Sequence, residues 1–595
     1  MRKAVLAIVE QALERARGEG LLRAAERPPI IVERPALEAH GDYSTNIALL
    51  LARSERRPPM EIAEALKGRM RDEEGAFDAI EVARPGFLNF FLNFDHLLRS
   101  LSEVESAGED YGTSKVGAGE RVLVEFVSAN PTGPLHVGHG RNAVVGDVLA
   151  RLLEAAGFRV EREYYINDAG TQWLTAGKST FLRHFQHKRP NISIVFPEDF
   201  YPGDYITEIA ESADYEFYVI TPREGDAESL VEKIVVSAPQ VKRVFEAGAI
   251  TPPDLEISVG RGELELVEDS ATFTCNLILD KIRRDLGEFR VHFDDDRLFR
   301  ESSLIESGRV AAIVEKLKDQ DHIYEAEGAL WLRSSAFGDE KDRVVVRADG
   351  RPTYLASDIA YHAHKYERGF DRLINVWGAD HHGYMPRMKA AVEMLGHPPE
   401  SLQVVLIQFV NLKRGDQPVA MGKRTGEFAE LSEVVREVGV DAARFFFLLR
   451  NADTALDFDL ELAKQESSEN PVYYVQYAHA RLASLFRQAA ERGYEVPRFQ
   501  EAPLARLELP QERRLAREVL RFPEVVEGSA LAMEPHRLPH YLVGLAKEFH
   551  VYYNHHRILT DDRELSSARL YLARCLQRVV ANALRLLAVE APEQM

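Results

Sequence analysis

Cysteine is nearly absent from this sequence: Cys275 and Cys575 are the only two among 595 residues. Two thiols so far apart exclude a disulfide framework and leave no cluster for a structural zinc. Long apolar runs are missing as well, and none approaches the roughly 20 residues that a helix needs to cross a bilayer. The opening stretch MRKAVLAIVEQALERARGEG is interrupted by Glu10, Glu14 and Arg15 at helical spacing, so it reads as an amphipathic helix and not a signal peptide. A cytoplasmic location is the expectation. Positive charge is the third deficit, with 74 Lys+Arg against 95 Asp+Glu and a formal net charge of −21. A general polyanion binder is normally basic, which this chain is not. Local basic surfaces that hold one RNA remain compatible with that balance.

What is present is a globular composition, 45% hydrophobic and 28% charged, with a length that implies roughly three to five domains. The most informative stretch runs from Arg121 to Ala156. RVLVEFV has the β-branched and aromatic content of a buried strand, and Pro131 to Pro134 then break the chain. From His136 the spacing predicts a helix, with Val144, Val148 and Leu152 on one face and Gly157 as its stop. The turn therefore delivers His136, Gly138 and His139 to a helix N-terminus, where unpaired amides and the helix dipole favour anions. Histidines three apart share a face, so both rings can donate to one phosphate. The glycine between them lets a flat ring approach the backbone. Alone, the pattern fits two ordinary helix histidines equally well. A metal pair lacks a third ligand at a useful spacing.

LHVGHGR after a strand and a proline-broken turn resembles the HIGH signature of class I aminoacyl-tRNA synthetases. The longer context, VEFVSANPTGPLHVGHGRNAVVGD followed by YYINDAGTQ, resembles the arginyl-tRNA synthetase version. The resemblance covers nearly the whole chain. GDYSTNIAL and ARPGFLNFFL resemble the N-terminal appended domain of that family, which contacts tRNA; read without the family they are a packing turn and a buried strand. AMGKR resembles the KMSKS signature, with Ala420 for the first lysine, Gly422 for the serine and Lys423 for the second lysine. VGVDAARFFFLLRN resembles the segment that names the DALR anticodon-binding domain.

The expected fold is α/β: a Rossmann-like parallel-sheet catalytic domain over 109–455, with an insertion at about 186–330. An N-terminal α/β appended domain over 1–108 precedes it, and an all-α helix bundle over 456–595 follows. FRVEREYYINDAG reads as the second strand of a right-handed βαβ unit, placing Asn167, Asp168 and Gln172 at its carboxyl end. RVVVR and RLINVW read as strands flanking a helix that begins near Leu355, with Asp358 in its first turn and four residues from Tyr354. Gly378 allows close approach to a ribose, and Asp380 offers its hydroxyls a carboxylate. His362, His364 and His381 read as ordinary packing or surface histidines.

The resemblance implies ATP-dependent activation of L-arginine and transfer to the 2′-hydroxyl of the terminal adenosine of the cognate tRNA. It implies a catalytic set of His136, His139 and Lys423. ATP would be held by Ser128, Pro134, His136, Gly138, His139, Gly378, Asp380, Met421, Lys423 and Arg424, with Mg2+ on the phosphates. Arginine would be held by Glu125, Asn130, Tyr354 and Asp358, and by His382 at a position that is usually glutamine. A guanidinium is planar, permanently charged and donates five N–H groups, so such a pocket should present carboxylates and acceptors and avoid free lysines. Asn46 in the appended domain is a tRNA candidate. So are Tyr473, Tyr477 and Arg481 with Tyr474 and His479, because single-stranded RNA is read by aromatic platforms and guanidinium groups; about half of these tyrosines are expected in the core. A monomer is expected. The competing readings are a class I synthetase for another amino acid, a non-catalytic RNA-binding paralogue, and a metal-dependent hydrolase.

Overall fold

The computed structural model describes the chain except for residues 24–27, 189–198, 214–215, 221–232, 239–240, 247–260, 416 and 420–428. Two compact units result. One joins Met1–Ser114, Ser467–Ala532 and Arg537–Met595; the other comprises Lys115–Glu466 with Met533–His536.

The second unit is built on five parallel strands. These are β1 (Arg121–Glu125), β2 (Arg159–Ile166), β3 (Leu298–Arg300), β4 (Arg372–Gly378) and β5 (Leu402–Ile407). Their order is β3-β2-β1-β4-β5, every neighbouring pair parallel. Strands buried on both faces read as near-continuous apolar runs, which is the pattern of RVLVEFV. Helix α1 (Val137–Ala155) crosses from β1 to β2, and α2 (Tyr354–Glu367) precedes β4. Val144, Val148, Leu149 and Leu152 of α1 and Val122 and Val124 of β1 are fully buried, each worth about 1.5–3 kcal/mol of burial. The order reverses between β1 and β4, and ligands of open α/β sheets bind outside the carboxyl ends of the strands at that switch.

Three expectations are corrected here. The sheet resumes at Leu298, inside the stretch expected to be insertion, because β3 pairs with Tyr164–Ile166 of β2. Arg343–Val346 is a strand before α2, as RVVVR predicts, and closes an antiparallel sheet with Ile323–Ala326 and Ala329–Leu332. Residues from 456 are not helical throughout, since Leu456–Asp459 is a strand pairing in parallel with Val410–Arg414. That same Val410–Arg414 strand pairs antiparallel with Gln417–Pro418.

The third correction concerns the first hundred residues, which do not stand as a separate unit. Their four-stranded antiparallel sheet and helices Ile47–Glu55 and Pro59–Lys67 cluster with the C-terminal helices. Arg34 Nη1 bonds Glu518 Oε1 at 2.9 Å, Tyr43 OH donates to Glu524 Oε1 at 2.8 Å, and Asn582 Nδ2 donates to Tyr111 O at 2.9 Å. Both cysteines are buried and free. Among the described residues no helix is long and apolar enough to cross a membrane.

Candidate active site

The nucleotide side is local in sequence. His136 is the extended N-cap of α1, and its Nδ1 accepts from Gly138 N at 3.1 Å. His139 Nδ1 accepts in turn from His136 N at 3.2 Å. The two rings stack 3.7 Å apart at 23°. With both Nδ1 atoms acting as acceptors, each neutral ring carries its proton on Nε2. Burial holds the His136 ring below the usual histidine range, and burial with His136 as neighbour lowers His139 to about 3. The pair is therefore a neutral set of donors at a helix N-terminus, and one nitrogen of each ring caps the helix's own backbone. A β-carbon on Gly138 would lie 3.0 Å from His136 Cε1 and 3.1 Å from Nδ1. The glycine thus makes room for the His136 ring itself, a tighter requirement than the approach of a flat ligand.

Gly378 ends β4, and a β-carbon there would come 2.4 Å from Asp380 Oδ1. The exposed Asp380 carboxylate lies 3.6 Å from His381 Nε2. Pro134 is half-buried. Ala420, Met421, Gly422, Lys423 and Arg424 lie outside the described residues. Immediately beyond them, Glu430 pairs in a β-bridge with His136, and Leu431 N donates to Leu135 O at 2.8 Å. At Glu430 and Leu431 the described chain therefore stands beside the start of α1.

The amino-acid side is assembled from distant stretches. Glu125, at the end of β1, is buried, and its Oε2 meets Lys365 Nζ at 2.5 Å. Lys365 is itself fully buried, bonds Asn375 Oδ1 at 3.2 Å and stands 4.1 Å over the Tyr361 ring. Lys365 is thus not a free lysine but the partner of Glu125, since a carboxylate this deep is stable only when paired. Asp358 lies one turn into α2, not in its first turn. Its Oδ2 accepts from Tyr384 OH. Burial pushes the Asp358 carboxyl up to about 6, against that hydrogen bond, and Glu125 adds to the rise. Behind it, His362 Nε2 accepts from Asn375 Nδ2 at 2.9 Å and its Nδ1 bonds Asp358 O at 2.8 Å. Burial lowers this ring to about 3, so His362 is the packing residue the sequence suggests.

Glu301 follows β3 directly. It is buried, and burial followed by the nearby Asp358 pushes its carboxyl up to about 7. Sequence reasoning missed Glu301, Lys365 and Tyr384. Asp168 is occupied structurally, accepting from Ser302 N at 2.9 Å and from Arg300 Nη1 at 3.0 Å. The remaining candidates are closer to solvent. Tyr354 is 57% exposed, and its hydroxyl lies 3.4 Å from where a Gly170 β-carbon would be. Asn130 is exposed and bonds Gln172 Oε1 at 2.6 Å. His382 is exposed. Ser128 Oγ donates to Glu125 Oε1 at 3.1 Å and accepts from Tyr165 N at 3.1 Å, which ties this hydroxyl to Glu125.

In the other unit, Tyr473 and Tyr477 stack 6.1 Å apart at 9° on helix Pro471–Glu491. Arg481 lies 4.6 Å over Tyr477 and 5.0 Å over Tyr553. Its Nη1 meets His550 Nδ1 at 3.1 Å. Tyr473, Tyr474 and Tyr477 are all half-buried, so none is a full core residue. His479 is buried, with Nδ1 bonding Pro592 O at 2.8 Å, which removes it from a base-reading face. Asn46 is half-buried as the N-cap of Ile47–Glu55.

A β3-β2-β1-β4-β5 sheet with paired histidines at its switch point is the layout of a class I tRNA synthetase, and the family comparisons agree. The model "tRNA synthetases class I (R), catalytic domain" matches residues 101–200 and 263–481. "Arginyl tRNA synthetase N terminal domain" matches 3–92, and "DALR anticodon binding domain" matches 475–595. An arginine–tRNA ligase of Citrifermentans bemidjiense is 45% identical over 600 residues, covering 100% of both chains. One of Desulfosudis oleivorans is 46% identical over 597 residues at the same coverage. The solved putative arginyl-tRNA synthetase of Campylobacter jejuni superposes with a TM-score of 0.70 at 34% identity, covering 85% of this chain and all of that one. That of Thermus thermophilus shares the fold at a TM-score of 0.73 and 24% identity, with 100% of both chains covered. The chain belongs to the arginyl-tRNA synthetase family.

Proposed function

We propose that this enzyme joins L-arginine to the terminal adenosine of its cognate tRNA at the cost of ATP, releasing AMP and pyrophosphate. The observation that carries the reading is the pairing of two neutral histidine donors at the start of α1 with a buried acidic pocket across the β1/β4 switch. Asp358, oriented by Tyr384, and Glu301 face the guanidinium. Glu125 and Asn130 hold the amino-acid end, Tyr354 closes over the substrate, and His382 lies at its rim. In the first step the arginine carboxylate attacks the α-phosphorus and pyrophosphate leaves. Negative charge builds on the phosphate oxygens, where the Nε2–H groups of His136 and His139 and the helix N-terminus are already aligned. Lys423, with Met421 and Arg424, neutralises the departing pyrophosphate. In the second step the 2′-hydroxyl of the tRNA attacks the adenylate carbonyl and AMP leaves.

The described residues contain no group of three or more His, Cys, Asp or Glu placed to hold a metal. In this reading Mg2+ enters as the companion of the triphosphate. Asn46, Tyr473, Tyr477 and Arg481 are the tRNA contacts of this reading, and the enzyme works as a cytoplasmic monomer. The unit that joins both ends of the sequence serves the tRNA and its anticodon, and the unit built on the parallel sheet serves catalysis.

Charging assays with each of the amino acids, ATP and tRNA test the proposal. Arginine alone should be attached to tRNA in an ATP-dependent way. Preferential attachment of another amino acid, or tRNA binding without charging, would sink it.

A further inference from the structure

The turn between β1 and α1 holds two consecutive non-glycine residues in the left-handed region, Val127 at φ +65° and Ser128 at φ +40°. That conformation is unfavourable for a β-branched valine and persists only where the surroundings over-determine it. Contacts from α1 and β2 do so here. Asn142 Oδ1 of α1 accepts from Val127 N at 2.7 Å, and Asn142 Nδ2 donates to Val376 O of β4 at 2.9 Å. From β2, Tyr165 N donates to Ser128 Oγ at 3.1 Å and Tyr164 OH donates to Ala129 O at 2.7 Å. Asn142 is buried and reaches the turn because α1 lies close against it. One helical turn later, a β-carbon on Gly146 would fall 2.3 Å from the Phe126 ring.

The turn decides where the residues after it stand. Its bend brings Ser128 Oγ back onto Glu125 Oε1 at 3.1 Å and sends Asn130 out towards Gln172 Oε1 at 2.6 Å. We propose that Asn142 is a positioning residue for arginine, which holds the Val127–Ser128 bend in its unfavourable form and so aligns Glu125, Ser128 and Asn130. The proposal rests on the pocket assignment made under the proposed function. Both side-chain hydrogen bonds of Asn142 go to backbone, of Val127 and of Val376, so its effect is expected on the arginine side that the bend aligns.

The test is tRNA charging by the full-length chain with KM for arginine and KM for ATP measured separately. Asn142→Ala should raise KM for arginine about tenfold and leave KM for ATP unchanged. Adding Val127→Gly to that variant should recover most of the loss, because glycine takes this φ without penalty. Movement of both KM values together, movement of neither, or no recovery with the glycine overturns the proposal. If Asn142→Ala does not fold, Asn142→Ser is judged by the same readouts. An unaltered chain that charges no arginine sinks the functional assignment and this proposal with it. An active chain with a silent Asn142→Ala sinks this proposal alone.

Discussion

The two halves of the site solve opposite electrostatic problems with different materials. The nucleotide half, at the start of α1, uses neutral groups: helix amides, two uncharged imidazoles capping the backbone, and a glycine that admits one of them. The amino-acid half uses buried charges, with Glu125 held by Lys365, Asp358 by Tyr384, and Glu301 raised in proton affinity by burial and by the nearby Asp358. A triphosphate arrives with counter-ions, so dipoles suffice to receive it. A guanidinium carries a fixed charge, and its pocket must keep negative charge out of water before the substrate arrives. Buried charge then needs its own partners, which is where Lys365 comes from.

The comparison breaks first at Lys365. Lys365→Met leaves Glu125 buried and unpaired and should cost about 3–5 kcal/mol of stability in urea unfolding. Adding Glu125→Gln should regain most of it, and a single variant as stable as the parent would mean the pair is dispensable. Next comes Asp358→Asn, which should lower kcat/KM for arginine roughly a hundredfold, by about 3 kcal/mol, with KM for ATP nearly unmoved. Near-normal charging by that variant removes Asp358 from the pocket.

A smaller effect separates the halves by pH. The Asp358 and Glu301 carboxyls are raised to about 6 and about 7. The folded free enzyme therefore holds more protons than the unfolded chain above about pH 4, and the stability this provides is lost as pH rises through 6–7. Arginine binds the ionised forms, so its KM should fall as pH rises towards 7, by up to about tenfold per unit for each proton released. His139 and His362 run the other way. Their folded values near 3 lie below the unfolded one, so the stability of these neutral rings is complete above about 6.5 and lost as pH falls from there. KM for ATP should accordingly stay flat where KM for arginine changes; parallel profiles would contradict the contrast. The smallest effect is expected at Gly138. An alanine there crowds the His136 ring at 3.0 Å and should slow charging about severalfold through kcat, without altering KM for arginine.

Legibility in the sequence followed the same division. The strand, turn and helix of the nucleotide half are contiguous, and their periodicity, prolines and histidine spacing show in one reading from Arg121 to Ala156. The start of α2 and the strand β4 are equally plain from apolar patterning. The amino-acid half was legible only in part. β3 is three residues long in an acidic stretch, too short to show a period, and Glu301 went unseen with it. Lys365 looks like a solvated helix position, since lysine is rarely buried without a partner. Its partners, Glu125 and Asn375, are brought together only by the register of β1 against β4. Tyr384 sits in a short 3-10 segment with no pattern of its own. The union of both chain ends in one unit was invisible for the same reason: it depends on pairs such as Arg34–Glu518, not on any local signal.

That union sets an order of events during synthesis. The partner of Arg34 lies 484 residues downstream, and that of Tyr43 lies 481 residues downstream. At ordinary elongation rates the appended domain waits on the order of a minute before Glu518 and Glu524 emerge. Until then its face for the C-terminal helices, where Leu101 O awaits Tyr571 OH and Tyr111 O awaits Asn582, is bare on the ribosome. The first residues made are among the last to be finished.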